Sequence, residues 1–588
     1  MVQYTYHNLK DFLNQKRKSK MITVKYDKPI KLKTKQSIFV SFPYKAKIVD
    51  AMRTFYGRYY HADTKTWELD YSSLDEIKRQ LPNEEFTVIG KPISNKKFNE
   101  KEVDRTISLP KNLKTKLYPF QIDTFYEGMA YDKYILNLDT GTGKSISALT
   151  ITSKRMELGQ VKRCLIIPCV ATLKYNWQNE IKQHFGEDAK VLGNRKNKKG
   201  IWSVKSNEDK LEDLNHLNKD DKWLITNIES LRNTKIKEKL KKLLDKGEID
   251  CIIVDECHKC AHTSAQQTKA LMLLENHCKY SLLLTGTILM NKPTDLYVPL
   301  KIVGIEEANF NQFKHRYVVF GGFNNWQIVG FQHLDHLQDK LSKVSKRIRK
   351  EDVLTELPPQ VFIDEYVEMD TKQSKIYSDV LQDIVNNIDN VKLSPNPLSQ
   401  MIRLRQATAD TSILSSTVQE SVKFERAMEL IDDIIDNGES VLVFSNWEAV
   451  VSKFNAYIGN KYKTAVITGK VKDREGEIKR FNADGCNIMI MTIGAGGTGL
   501  TLNKANNIIM LDEPWTATDV KQLTSRNYRI GQTKTTVVYT LMCKNTIDEH
   551  IHSIIKRKGA LGEAVVDKKY DLKNPKIIEY LLTGEGEI

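Results

Sequence analysis

A glycine-rich turn between an apolar run and a helical pattern constrains this chain more than any other feature. The apolar run covers residues 134–138, the turn reads Asp-Thr-Gly-Thr-Gly-Lys-Ser over 139–145, and the helical pattern covers 146–156. In such a strand–turn–helix unit, backbone N–H groups and the helix N-terminus hold phosphates. Lys144 is then expected to reach the terminal phosphates of a nucleotide, and Ser145 to ligate Mg²⁺. A glycine-rich turn without a ligand is the alternative, because Leu138 stands where the full motif has glycine.

Two carboxylates follow a second apolar run, residues 251–254. Asp255 lies where it can hold Mg²⁺, directly or through water, and Glu256 lies where it can polarise an attacking water as a general base. His258 is expected to sense the terminal phosphate and relay its state. Alone, the two acids would fit a solvated strand terminus, but with the upstream turn they predict a nucleotide-hydrolysing site.

A third pattern lies near the C-terminus, where Gln522, Arg526 and Arg529 follow one another at i, i+4 and i+7. On a single helix these side chains would share one face. Two guanidinium groups on one face suit the charge that develops on a transferred phosphoryl group. An exposed basic helix face has the same spacing, so this pattern depends on the other two.

Taken in order with several further segments, these motifs resemble those of Swi/Snf-type superfamily-two helicases, and within that group the HARP-containing annealing helicases. The further segments cover residues 117–121, 165–177, 224–231, 283–287, 349–359, 441–445, 492–502 and 529–532. The chain departs from the family pattern at Cys257, Ile288 and Asn527-Tyr528. None of these departures removes a charged catalytic group, so they bear on rate and coupling and leave the reaction unchanged.

The resemblance implies a role for each motif residue, with ATP and Mg²⁺ as cofactors and Gln121 as the residue that reads adenine. ATP binding is assigned to Gln121, Asp139, Thr140, Gly141, Thr142, Gly143, Lys144 and Ser145; Mg²⁺ binding to Ser145 and Asp255; catalysis to Lys144, Asp255, Glu256, Gln522, Arg526 and Arg529; and coupling of the ATP site to nucleic acid to His258, Thr285, Gly286 and Thr287.

The N-terminal segment predicts a small α+β module, with strands at 37–42, 58–61, 66–69 and 86–89 and helices at 45–55 and 74–81. Arg58, Tyr59, Lys65 and Trp67 interleave basic and aromatic groups, a mixture that suits stacking on bases and contacting phosphates. Tyr60 and Trp67 are equally compatible with the core of the module. Residues 57–60 and 63–67 resemble a HARP domain, which implies recognition of forks or of single-to-double-strand junctions.

Short apolar runs alternate with helical patterns in two further regions, which predicts two parallel sheets covered on both faces. The predicted fold class is therefore α/β, with two RecA-like parallel-sheet lobes and helical insertions, preceded by the small α+β HARP-like domain. In the insertion, Arg403 and Arg405 are candidates for contacts with DNA or between lobes, and a solvated amphipathic helix is the alternative. The predicted segments are a basic leader 1–20, the HARP-like domain 21–91, a linker 92–108, the first lobe 109–300, a helical bridge 301–420 and the second lobe 421–588.

Composition and the distribution of apolar residues add further constraints. Lys and Arg number 90 against 74 Asp and Glu, a formal net charge of +16, which indicates a polyanionic partner unless the chain is simply lysine-rich throughout. The eight cysteines lie in or beside apolar runs, as reduced thiols of a cytosolic protein do. Cys257 and Cys260 lack the second pair that a four-ligand zinc site needs. No signal peptide and no bilayer-length apolar run is found, so a soluble cytoplasmic protein without a membrane partner is expected. The compact layout, without a long disordered recruitment tail, favours bacterial or phage origin.

The sequence is compatible with three functions. The first is a DNA-dependent ATPase that moves on duplex or forked DNA and remodels or reanneals it, with Thr226, Ser445 and Thr492 close to the backbone of the tracked strand. The second is a strand-separating helicase, or a motor that displaces proteins from nucleic acid. The third is a DNA-structure-binding module with a decayed ATP site, against which the intact charged residues argue. A monomer is expected, with DNA forks, junctions or duplexes as partners and with replication or recombination proteins as further candidates.

Overall fold

The computed structural model describes residues 21–562 except 33, 35, 93–101, 171–172, 197–201, 205, 287–292, 322–326, 387–397, 417–420, 472 and 497–501. The predicted basic leader and most of the predicted linker lie outside these residues. Two compact units are present, one formed by the N-terminal part up to Glu102 with residues 261–264 and 293–345, the other by the two lobes. None of the described helices is both long enough and apolar enough to cross a bilayer.

The N-terminal part is a five-stranded sheet with two helices. Its elements are β1 (Ile22–Asp27), β2 (Ser37–Ser41), α1 (Ala46–Thr54), β3 (Tyr59–His61), β4 (Thr66–Asp70), α2 (Leu74–Gln80) and β5 (Phe86–Ile89). The strand order is β3-β4-β2-β1-β5, with β1 antiparallel to β2 and parallel to β5. Strands and helices share one apolar core that includes Val24, Ile38, Met52 and Ile77. The sequence predicted all of these elements except β1, which joins β5 to the rest of the sheet.

A buried carboxylate, Glu68 on β4, organises the loop after β1. It accepts hydrogen bonds from the backbone N–H groups of residues 30–32, from the Ser37 hydroxyl at 3.0 Å and from His61 at 2.7 Å. Burial opposes ionisation, but these donors outweigh it and hold the pKa of Glu68 below its usual value. The loop that carries Lys31 is therefore fixed against the sheet.

The first lobe is built on parallel strands whose apolar side chains are buried on both faces, as the continuous apolar runs predict. The strands of this sheet are β6 (Lys133–Leu138), β7 (Cys164–Pro168), β8 (Lys190–Val191), β11 (Trp223–Ile225), β12 (Cys251–Asp255) and β13 (Tyr280–Thr285), whereas β9 (Asn194–Lys196) and β10 (Trp202–Val204) form a separate antiparallel pair. The helices are α3 (Pro119–Ala130), α4 (Lys144–Glu157), α5 (Leu173–Phe185), α6 (Asn207–Asn215), α7 (Thr234–Asp245) and α8 (Gln266–His277). The sheet order is β6-β13-β12-β7-β11-β8, with Ser345–Ile348 added beside β6. The carboxyl ends of β6 and β12 therefore lie at the same edge, two strands apart.

An insertion after β13 packs with the N-terminal sheet in one compact unit. It contains α9 (Tyr297–Ile302), α10 (Phe310–Tyr317), β14 (Val318–Gly321), β15 (Gln327–Phe331) and α11 (Leu334–Val344). Polar and aromatic contacts join the two parts: the Tyr56 and His315 rings stack at 4.2 Å, His333 lies 3.4 Å from Glu76, Arg79 lies 3.6 Å from Asp335, and Arg316 donates to the Ser72 carbonyl at 3.4 Å. The predicted helical bridge 301–420 is therefore not one region, because its first part belongs with the N-terminal sheet and includes a β-hairpin.

The second lobe is a six-stranded sheet in which every neighbouring pair is parallel. Its elements, with the segment leading to it, are β16 (Ser345–Ile348), α12 (Lys350–Val353), β17 (Gln360–Val367), α13 (Thr371–Asn386), α14 (Leu398–Ala409), α15 (Val422–Asp436), β18 (Val441–Ser445), α16 (Glu448–Ile458), β19 (Thr464–Ile467), α17 (Arg474–Asn482), β20 (Ile488–Thr492), α18 (Ile493–Gly496), β21 (Asn507–Met510), α19 (Ala517–Thr524), β22 (Thr536–Cys543) and α20 (Ile547–Gly562). The strand order is β17-β22-β21-β18-β20-β19. Because β17 is an edge strand of this sheet, the second lobe begins earlier than the predicted residue 421.

The predicted fold class is confirmed, since two parallel-sheet α/β lobes with helical insertions follow a small α+β domain.

The two arginines of α14, Arg403 and Arg405, have different surroundings. Arg403 is exposed and lies 3.7 Å from Asp383. Arg405 is 1% exposed, donates to the Glu513 carbonyl, and lies over the rings of Trp515 and Trp447 at 4.3 and 5.4 Å. Neither DNA contact nor solvation describes Arg405, which holds α14 to the second lobe.

We expect Arg405→Ala to lower the free energy of unfolding by about 3 kcal/mol, because it removes a desolvated cation–π pair and a charged hydrogen bond. Arg403→Ala on the same helix is the matched control and should change stability by no more than about 0.5 kcal/mol. Urea and thermal unfolding of the full chain measure both. Equal losses in the two variants would contradict the assigned role of Arg405.

Candidate active site

A cavity of about 380 Å³ lies at the carboxyl edge of the first-lobe sheet and reaches residues of the second lobe. Parallel strands direct their following loops to this edge, so distant motifs meet there. The predicted site residues that line it are Gln121, Thr140, Gly141, Gly143, Lys144, Ser145, Asp255, Glu256, Gln522, Arg526 and Arg529. The cavity therefore gathers the phosphate loop, the carboxylates and the arginines, which the sequence could only align in order.

The phosphate loop, residues 139–145, depends on two glycines in the left-handed region. Gly141 has φ +85° and Gly143 has φ +84°. A Cβ at position 141 would lie 2.7 Å from the Arg529 Cβ, and one at 143 would lie 2.4 Å from the Gln121 Nε2. Only glycine satisfies both the backbone angle and the close approach. Close packing against the second lobe is thus built into the loop itself.

The side-chain amide of Gln121 is hydrogen-bonded to other groups of the protein. Its Nε2 donates to the Thr142 carbonyl at 3.0 Å, and its Oε1 accepts from the Tyr118 N–H at 3.0 Å. This residue, predicted to read adenine, holds the phosphate loop to α3 and also lines the cavity.

Asp139 and Thr142, predicted to bind ATP, do not line the cavity. The Thr142 hydroxyl donates to the Asp139 carbonyl at 2.7 Å. The Asp139 carboxylate is 1% exposed and pairs with Arg347 at 2.8 Å and Lys521 at 3.2 Å. The prediction that their side chains bind nucleotide is therefore corrected. Both side chains stabilise the phosphate loop through contacts with protein groups outside the cavity.

The two carboxylates after β12 have different surroundings. The Trp177 indole N–H donates to Asp255 Oδ2 at 2.9 Å, and burial with the adjacent Glu256 charge raises the pKa of Asp255. Burial also disfavours the ionised form of Glu256, but Lys144 and His258 reverse this and lower the pKa of Glu256. Glu256 has φ +54°, a left-handed angle that is rare outside glycine. Glu256 is therefore ionised, which is the state that a general base requires, and it lines the cavity.

His258 connects this carboxylate pair to the end of β13. Its Nδ1 lies 3.2 Å from the Glu256 carboxylate and 3.1 Å from the Thr285 hydroxyl. The neighbouring Gly286 carbonyl accepts from Arg347 at 3.1 Å. Thr287, also predicted to couple the sites, lies outside the described residues. The contacts of His258 fit the predicted relay from the ATP site.

The arginines reach the cavity from a turn after α19, and the predicted single helix is wrong beyond Thr524. From Ser525 the chain makes irregular turns, with Arg526 N–H bonded to Leu523 O and Gln532 N–H to Arg529 O. Arg526 is 8% exposed, and burial lowers its pKa to about 10. The side chains still converge on the cavity, because the turns keep them on one side.

Ser145 and Asp255 line the same cavity and offer a hydroxyl and a carboxylate oxygen. Hard oxygen ligands in small number suit Mg²⁺, which keeps several waters and takes nucleotide phosphates as further ligands. These residues fit the predicted ion. Within the part of the chain that the structure describes, no group of three or more His, Cys, Asp or Glu side chains could hold a metal.

The three hydroxyls predicted to contact a tracked strand are buried. Thr226, Ser445 and Thr492 are 1%, 0% and 8% exposed, and Ser445 donates to the Asp512 carboxylate. A buried hydroxyl cannot contact a nucleic-acid backbone, so this prediction is corrected. These positions end or follow strands, which explains both the sequence pattern and the burial.

The N-terminal sheet, in contrast, exposes most of its predicted contact residues. Tyr59 and Tyr60 are 41% and 45% exposed, and Arg58 and Lys65 are exposed as well. Trp67 is partly buried and lies 5.1 Å from Tyr60, ring centre to ring centre. The alternative of a core role fails for Tyr60 and holds in part for Trp67, which packs against the module core.

Four residues near the site were not predicted to be functional from the sequence. Trp177 and Lys350 lie within family-like segments, whereas Arg347 and Lys521 were not singled out. Their partners are 78 to 382 residues away in the chain, as the Trp177–Asp255 bond and the Lys521–Asp139 pair show. No local pattern carries such pairings.

Comparisons with known proteins agree with this arrangement. An SNF2-related domain matches residues 124–413, and a helicase conserved C-terminal domain matches residues 422–531. An uncharacterized ATP-dependent helicase of Mycoplasma genitalium is 26% identical over 447 residues, which cover 73% of this chain and 40% of that protein. The DNA annealing helicase and endonuclease ZRANB3 of Bos taurus is 24% identical over 485 residues, 79% of this chain and 42% of that protein. The chain thus spans about two fifths of the length of these curated relatives.

A solved structure, the Sulfolobus solfataricus SWI2/SNF2 ATPase core in complex with dsDNA, is similar at 21% identity and a TM-score of 0.36. The similarity covers 80% of this chain and 98% of that one.

We expect Gly141→Ala to lower the rate of ATP hydrolysis by more than about tenfold, because the added Cβ would push the Arg529 backbone away from the loop. Gly159→Ala is the control: it has φ +69° in the same lobe, but open space around its Cβ position. Steady-state hydrolysis compares the two. Similar activity in both variants would show that the contact with Arg529 does not matter.

Proposed function

The chain belongs to the SNF2-related group of superfamily-two helicases, and on that premise we propose that it hydrolyses ATP to move along duplex or forked DNA and to remodel or reanneal it. The observation that carries this proposal is the meeting of Lys144, Glu256 and Arg526 at one cavity supplied by both lobes. The pairing of a phosphate loop with arginines from the second lobe is what a nucleotide-driven closing motion requires.

Each cavity residue has a separate role in the proposed reaction. Lys144 and the loop N–H groups hold the terminal phosphates, while Arg526 and Arg529 stabilise the charge that develops on them. Glu256 takes the proton of the attacking water, and the lowered pKa of Glu256 keeps it ready to do so. Ser145 and Asp255 would hold Mg²⁺, which would neutralise charge on the phosphates. Loss of the terminal phosphate removes the anion shared by the two lobes, so the lobes are free to separate.

DNA as the partner is supported by the net charge of +16 and by the exposed aromatic and basic side chains at the β3 edge of the N-terminal sheet. Tyr59 and Tyr60 offer ring faces for stacking, and Lys31 lies 5.7 Å from the Tyr59 ring centre. Resemblance of this segment to a HARP domain and likeness to an annealing helicase favour forks or junctions. The relative from Mycoplasma genitalium supports a bacterial origin, and a cytoplasmic location is part of the proposal.

A strand-separating helicase, or a motor that strips proteins from nucleic acid, is the second candidate. The same ATP site serves either motor, because phosphate contacts and closing motions carry no information about the product. The exposed aromatic side chains at the β3 edge of the N-terminal sheet favour the first candidate, since recognition of DNA structure is more useful to annealing than to stripping.

ATP hydrolysis should be stimulated most by forked or duplex DNA, and Lys144→Ala and Glu256→Gln should each lower the rate by at least about a hundredfold. Steady-state assays without nucleic acid and with single-stranded, duplex, forked and RNA ligands measure this. Lys534→Met, an exposed lysine outside the cavity, is the control. Stimulation by single strands or RNA alone would favour strand separation, and full activity of Lys144→Ala would refute the site.

We expect the double variant Tyr59→Ala, Lys65→Ala to reduce the ratio of fork-stimulated to duplex-stimulated hydrolysis by about fivefold, with little change in the unstimulated rate. Tyr457→Ala, an exposed tyrosine of the second lobe, is the matched control. Point variants are preferable to deletion of residues 21–91, because deletion would also uncover the insertion surface around His315 and Arg316. An unchanged ratio would show that this edge of the sheet does not read DNA structure.

A further inference from the structure

A buried carboxylate behind the phosphate loop is the meeting point of both lobes. Asp139 Oδ1 pairs with Arg347 at 2.8 Å, and Oδ2 accepts from the Lys350 N–H at 3.2 Å and pairs with Lys521 at 3.2 Å. Burial opposes its ionisation, but Arg347 and Lys521 outweigh that effect and lower the pKa of Asp139. Lys521 lies on α19, in the second lobe, whereas Asp139 follows β6 in the first.

A second bridge runs through Lys350, at the start of α12. Its side chain is buried, its Nζ donates to the Tyr528 carbonyl at 2.5 Å, and it lies 4.9 Å from the Tyr528 ring centre. The same Nζ is 3.5 Å from the Cβ position of Gly141. Burial lowers the pKa of Lys350 to about 7. Negative charge arriving on the phosphate loop would favour its protonated form and strengthen its bond to the carbonyl.

Both bridges end on the segment that carries Arg526 and Arg529. Tyr528 lies between Arg526 and Arg529 in sequence, and Lys521 immediately precedes Gln522. Asp139, Lys350 and Lys521 do not line the cavity. They are therefore placed to set the position of the arginine-bearing turn without touching the nucleotide.

We propose that Lys350 and Lys521 are positioning residues, which seat the turn of Arg526 and Arg529 on the phosphate loop with Asp139 as their common anchor. This inference rests on the proposed function, because it assumes that the cavity hydrolyses ATP. The interlock of Asp139, Lys350 and Lys521 couples the conformation of the loop to lobe closure, so that the arginines approach only a correctly formed phosphate site.

The test separates positioning from a merely structural contact. Lys521→Met, Lys350→Met and Asp139→Asn are each expected to lower kcat by about tenfold while KM for ATP changes by less than about twofold. Lys521→Arg should restore most of kcat, because it keeps the charged donor. Lys534→Met is the control, since Lys534 is also exposed and lies 3.6 Å from an acid, Glu439, but within one lobe. The 50% exposure of the Lys521 side chain keeps its variant informative even if Lys350→Met fails to fold.

A double-mutant cycle addresses the pair itself. Combined Asp139→Asn and Lys521→Met should lower kcat by less than the product of the two single effects, because either change alone already breaks the pair. Multiplicative losses would overturn the idea that these two residues act together.

Closure can be measured without turnover. All eight native cysteines are buried, so dyes can be placed selectively at Leu158→Cys in the first lobe and Tyr457→Cys in the second, both exposed positions. A non-hydrolysable ATP analogue should raise energy transfer in the parent and raise it less in Lys521→Met. Parent-like kcat and energy transfer in all three variants would overturn the interlock while leaving the proposed function intact. Full activity of Lys144→Ala would instead refute the proposed function.

Discussion

The close approach of a second-lobe turn to the phosphate loop is the constraint on which the rest of the site depends. Arg529 packs so closely on Gly141 that a single added carbon would meet it at 2.7 Å. Such contact requires two separately folded parallel sheets to bring their loop edges together, and it requires glycine at the point of contact. The burial of Arg526, the pairing of Lys521 with Asp139 and the gathering of the cavity residues all follow from this approach.

Much of the fold could be predicted from the sequence, because buried parallel strands have continuous apolar sequences. The strands at Cys164–Pro168, Thr464–Ile467 and Phe86–Ile89 begin and end as the patterns predict. Several strands were not predicted, and β1 and β17 show why. Charged or polar residues interrupt both, and β17 exposes Val361, Phe362 and Tyr366 at the sheet edge. Their identity as strands is fixed by pairing with distant partners, which a local pattern does not contain.

The candidate site shows the same division between local and distant information. Residue types and order predicted which side chains meet at the cavity, since the loops after parallel strands share an edge. Hydrogen-bond partners were beyond reach: Gln121 is bound to Thr142, Asp139 to Lys521 and Arg405 to Glu513. The same holds for burial of hydroxyls such as Ser445, because a strand end can face either solvent or a neighbouring acid. The early end of the helix before Arg526 likewise depends on tertiary packing.

The backbone of Glu256 has a consequence for how this chain can change over generations. A non-glycine residue in the left-handed region costs about 1 kcal/mol, so the site keeps its carboxylate at the expense of stability. Glycine at this position would remove the backbone strain and give a more stable protein that lacks its general base. Selection for stability and selection for turnover therefore oppose each other at one residue, and copies of the gene released from the need to hydrolyse ATP would be expected to drift towards glycine there.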